Sequence, residues 1–133
     1  MDTTAAPRPG QAWNHMIVIG RGANRVCVID RRDTRQCLKF MLPPAQRTRV
    51  GLRQRLARWR AQRSPKRDEN HAELRAWLQL SARIPAEDLA PHLATVLGMF
   101  RTVYGQALCC QRVTLPEGGD APSLYALLFE APR

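Results

Sequence analysis

The densest chemistry-bearing stretch of this sequence runs from Ala45 to Arg67. It holds nine basic residues (Arg47, Arg49, Arg53, Arg55, Arg58, Arg60, Arg63, Lys66 and Arg67) and no acid. The whole chain of 133 residues carries a formal charge of +10; the rest of it holds 12 basic and 11 acidic residues, so it is nearly neutral. Arginine at such density suits bidentate contact with phosphate or carboxylate. Arg53, Arg55, Arg58 and Arg60 are the candidate anion-binding residues, with nucleic acid, a lipid head group or an acidic protein as the class of partner. A solvated, charged helix face is the competing reading, because charge runs commonly just face water. Within the block Leu52, Leu56 and Trp59 recur at i, i+4, i+7, one narrow apolar stripe on a helix otherwise rich in arginine.

The cysteines offer less. Cys27, Cys37, Cys109 and Cys110 form no CxxC pair, and His15, His71 and His92 are scattered, so no zinc spacing is present. Cys27 and Cys37 fall on what read as paired strands, which leaves a disulfide open, although small, buried, reduced thiols are the expectation for a cytosolic chain. Cys109 and Cys110 are adjacent in a strand-like stretch, which requires one to point in and the other out.

The elements that must position these groups follow from pattern and punctuation. Residues 1–12 have no apolar period and read as a loose tail. Residues 15–20, 25–30 and 36–42 read as three strands of an antiparallel meander. The first link, Gly20 to Asn24, has two glycines for backbone freedom and an Asn that tolerates positive φ; Pro43-Pro44 stops the third strand. After the basic block, Asp68 is placed to cap a helix whose apolar face is Leu74, Trp77, Leu78 and Ser81, ended near Ile84-Pro85. Residues 93–103 and 105–115 read as two more strands, broken around 102–105. Pro116 to Pro122 is a loop, and 123–129 is a short apolar tail of ambiguous type. The order defines an α+β domain, one long helix on a five-stranded antiparallel sheet, filling residues 13–129 with a basic insertion at 45–67. No stretch approaches the roughly 18 apolar residues of a membrane span. The start, Met-Asp-Thr-Thr-Ala-Ala-Pro, has no secretory pattern, so the expected compartment is the cytoplasm.

That layout, with a glycine turn between the first two strands and a lysine in the third, resembles a protein-kinase N-terminal lobe. The ordered set Gly20, Gly22, Arg25, Cys27, Cys37, Lys39, Glu73-Leu74 and Ile84-Pro85 resembles the YrbL family, the small kinase-like proteins of the PhoP regulatory network of bacteria, over about residues 16–128. The resemblance implies a nucleotide site, ATP with Mg, in which Gly20 and Gly22 open the backbone to phosphates, Lys39 meets the α- and β-phosphates and Glu73 fixes Lys39. Strand parity agrees: Cys37, Lys39 and Met41 share one face, opposite Leu38, Phe40 and Leu42. The sequence departs from the longer family members in lacking the catalytic-loop and metal-binding acid of a second lobe. A chain that is silent in phosphoryl transfer on its own, acting in regulation by binding nucleotide or a partner, is therefore the expected function. A basic nucleic-acid-binding or adaptor protein using residues 45–67 is the alternative. Homodimerisation through an uncovered sheet edge or lobe surface is a further expectation.

Overall fold

The computed structural model describes residues 15–48, 51–122 and 128–129. The expected tail at 1–12, the basic Arg49 and most of the apolar stretch at 123–129 lie outside the described residues.

Five strands form one antiparallel sheet in the order β1-β2-β3-β5-β4. They are β1 (Val18–Arg21), β2 (Arg25–Ile29), β3 (Gln36–Met41), β4 (Val96–Thr102) and β5 (Gly105–Gln111). The helices are α1 (Leu52–Arg63), α2 (Glu69–Ser81) and α3 (Ala86–Leu89). This is the α+β architecture expected from the sequence. The expected first strand at 15–20 is shifted: pairing begins at Val18, runs through Gly20 to Arg21, and slips register between Val18 and Gly20. The two later strands break where expected but are shorter than read, because pairing of β5 stops at Gln111.

Turn chemistry sets the strand ends. Asp30 accepts from the backbone N–H of Arg32 at 3.0 Å and Asp33 from that of Arg35 at 3.1 Å, so successive Asx turns fold the link between β2 and β3. The β4–β5 hairpin is pinned by Thr102, whose hydroxyl donates to the Gly105 carbonyl at 2.7 Å and accepts from Tyr104 N–H at 3.1 Å. Gly105 takes a φ of 110°, a region an L side chain rarely adopts. Pro85 ends the α2 region as expected and also caps the short α3, whose Leu89 is buried.

The sheet has apolar residues on both faces. Val26, Val28, Leu38, Phe40, Leu42, Ala107 and Cys109 fill one. Cys37, Val96, Leu108 and Cys110 fill the other, under Leu74 and Trp77 of α2. Parity in β3 is as read. Cys109 and Cys110 do face opposite ways, yet neither points out: both are buried, because each face of the sheet is covered at that point. Leu78, expected on the packed face of α2, is exposed. Among the described residues no helix is long and apolar enough to cross a membrane.

Candidate functional site

The cap of α2 sets the geometry of the site. Asp68 accepts from the backbone N–H of His71 at 2.8 Å and so fixes the helix start. The first turn and a half then present Glu69, Asn70 and Glu73 toward β2 and β3. On β3, Lys39 shares a face with Cys37 and Met41; on β2, Arg25 and Cys27 lie opposite Met41 and Lys39 in register. Arg25 and Lys39 therefore meet the same helix face.

Glu73 divides its carboxylate between them. Lys39 Nζ donates to Oε1 at 2.6 Å and Arg25 Nη1 to Oε2 at 2.5 Å. Burial opposes ionisation of Glu73, but the hydrogen bonds from Lys39 and Arg25 outweigh it and hold the carboxyl below the usual glutamate range. Arg25 Nε also pairs with Glu69 at 3.1 Å. Asn70, 1% exposed, donates to the Lys39 carbonyl at 2.8 Å and accepts from Arg25 at 3.3 Å, so a buried amide ties the strand to the helix.

The glycine turn belongs to the same cluster. Gly22 N–H donates to the Arg25 carbonyl at 2.9 Å and closes the hairpin. Asn24 at its tip donates to Glu69 and accepts from Arg58 Nε of α1, the latter at 2.7 Å. The backbone freedom expected of this turn is not used: neither Gly20, Gly22 nor Asn24 has a positive φ. A Cβ on Gly20 would meet Cys27 Cβ at 3.9 Å, and one on Gly22 the Arg25 carbonyl at 3.9 Å, both ordinary contacts. What the glycines supply is a low wall. A cleft of about 220 Å³ opens between the turn and the sheet, with Gly20, Gly22, Asn24, Arg25, Cys27, Lys39 and Glu69 on its lining.

Three of the four residues expected to hold nucleotide thus line one cleft, and the fourth, Glu73, holds Lys39 from behind. Of the four arginines expected to bind an anion, three are open and one is not. Arg53, Arg55 and Arg60 are exposed, whereas Arg58 turns inward to Asn24. The reason is helical phase: Arg58 falls with Ala61 on the side of α1 that faces the body, and Arg53, Arg55 and Arg60 fall outside it. Arg25, Glu69 and Asn70 were missed as site residues. Their signal was present: Arg25 has the same strand parity as Cys27, and Asn70 and Glu73 follow the capping Asp68 on one helix face.

Behind the cleft the thiols are unequal. The neighbouring Cys27 thiol and the nearby Lys39 charge lower the Cys37 thiol despite burial, while its interaction with Cys37 and burial raise Cys27. Burial pushes Cys109 up to about 11 and Cys110 up to about 12. All four are free thiols, and the register sets Cys27 opposite Lys39 rather than opposite Cys37. Among the described residues no group of three His, Cys, Asp or Glu is placed to hold a metal ion.

Comparison with protein-family models, with curated proteins and with solved structures finds no match to this chain.

Proposed function

We propose that this chain is a nucleotide-binding module of the kinase N-lobe type, similar to the YrbL family, that engages the phosphates of Mg-ATP and does not transfer a phosphoryl group on its own. The observation that carries the reading is the Lys39–Glu73 ion pair at 2.6 Å, with Lys39 opening onto the cleft walled by Gly20 and Gly22. A strand-three lysine fixed by a helix glutamate is the arrangement that presents an ammonium to α- and β-phosphates. The strand order, with the helix entering after the third strand, supports the same layout. The residues present fit the phosphate end of the nucleotide: a low glycine wall for close approach, Lys39 for charge and Arg25 beside it. Bound magnesium would neutralise phosphate charge. The setting is bacterial regulation in the cytoplasm.

Calorimetry on the full chain with Mg-ATP tests this. Saturable binding by the wild type, lost in Lys39→Ala, is the expected result. Equal binding by both proteins, or none by either, overturns it. The second reading, a basic adaptor, draws on one observation: Arg53, Arg55 and Arg60 are exposed and form no ion pair with a described residue.

A further inference from the structure

Helix α1 is turned inside out. Its half-buried side chains are Arg58 and Ala61, and with Gln54 and Ala57 they line a hollow of about 200 Å³ against the body. The opposite side carries Leu52, Leu56 and Trp59, which are 81%, 48% and 47% exposed. The helix therefore turns Arg58 and two alanines toward the body and leaves its apolar stripe exposed. At the next stripe position, i+11, stands Arg63, whose guanidinium lies over the Trp59 ring at 4.2 Å from its centre. Arg53, Arg55 and Arg60 flank the stripe, and Lys66 and Arg67 follow it.

We infer that this face is a docking surface for a partner protein with an apolar groove rimmed by carboxylates. Anchors at i, i+4, i+7 are the pattern of a helix laid in a groove. A phosphate backbone needs the arginines but gives no use to Leu52 and Leu56. A lipid surface uses both, yet it would carry Arg63, which lies on the midline of the stripe, toward hydrocarbon. A groove with a carboxylate at its end takes all four positions. A second copy is a poor occupant: the apolar hollow on the other face of the sheet is rimmed by Arg31, Arg32 and Arg101. The stripe lies away from the nucleotide cleft, so the two readings fail independently.

The probe is calcium-loaded calmodulin, a groove that is apolar and opens only with calcium. Anionic vesicles of phosphatidylcholine and phosphatidylserine and a single-stranded RNA are measured beside it. The full chain is expected to bind the groove saturably and only with calcium. Leu56→Ser/Trp59→Ser should weaken this by roughly tenfold or more, from two lost apolar anchors, and Arg63→Gln by a few-fold. Far-ultraviolet dichroism of both variants should match the wild type, because none of the altered residues is buried. Absence of calcium-dependent binding overturns the inference. So does binding to vesicles as tight as to the groove and lost in the same double variant, which assigns the face to lipid. Binding to RNA alone, insensitive to the double variant, overturns it in favour of a phosphate surface.

Discussion

Removing the charge of Glu73 isolates the centre of the site. In Glu73→Gln the shape stays and the two cations lose their shared carboxylate. Breaking one side of a fully buried pair costs about 3–5 kcal/mol, whereas an exposed pair contributes up to about 1 kcal/mol. Here the Lys39 side chain is 25% exposed and that of Glu73 29%, so solvent screens the interaction in part. The amide also keeps one acceptor oxygen. A loss of about 2 kcal/mol follows, or roughly 6–10 °C in Tm for a chain of this size. Urea denaturation of the wild type, Glu73→Gln, Lys39→Met and the double variant measures the coupling directly; about 1–2 kcal/mol is expected. The folded carboxyl is held below its unfolded range. Its stabilisation is therefore complete above the unfolded value, about 4.3 for a glutamate, and is lost as pH falls through the lower folded value. The wild-type advantage should persist at neutral pH and shrink on acidification. Additivity of the two single substitutions within about 0.5 kcal/mol, or an advantage that does not change on acidification, would refute the ion-pair account.

The glycines separate two kinds of cost. Gly105→Ala forces an L side chain to a φ of 110° with open space around its Cβ, so backbone strain alone should cost roughly 1–2 kcal/mol in urea denaturation. Gly20→Ala has no such φ and only an ordinary contact, so its stability should stay within about 0.5 kcal/mol of wild type while Mg-ATP affinity in calorimetry falls as the low wall is raised. The thiols give a pH readout: followed by thiolate ultraviolet absorbance, one thiol should ionise below the ordinary cysteine range, and Cys37→Ser should abolish that step. Lys39→Met should move it to higher pH, and Cys109 and Cys110 should remain protonated until near 11 and 12.

Much of the sheet was legible because each cue had one physical meaning. Pro43 and Pro44 cannot continue a ladder, and alternation in β3 fixed which side Lys39 takes; the turn made by Asp30, read as the end of a strand, was seen only in the structure. The apolar stripe of α1 was legible as a spacing, but whether it is covered is a tertiary matter. A stripe reports that a face wants cover, not that the fold supplies it. Leu74 and Trp77 of α2 pack on the sheet, while Leu52, Leu56 and Trp59 of α1 stay exposed. Arg58 escaped for the same reason: its partner, Asn24, comes from a turn 34 residues earlier, and no local pattern encodes that pairing.

The cluster these contacts build has a charge consequence that the Lys39–Glu73 pair alone would not have. A single lysine paired with a single glutamate is neutral and offers an incoming phosphate little net attraction. Here Glu73 is shared between Lys39 and Arg25, Glu69 binds both Arg25 and Asn24, and Arg58 joins through Asn24. On the lining of the cleft Arg25 and Lys39 stand with Glu69, and Glu73 behind them is shared by the two cations. Lys39 is held in place by a carboxylate that it does not have to itself. An ammonium positioned in this way keeps its orientation without giving up its capacity to meet a second anion, as phosphate recognition by a point charge requires.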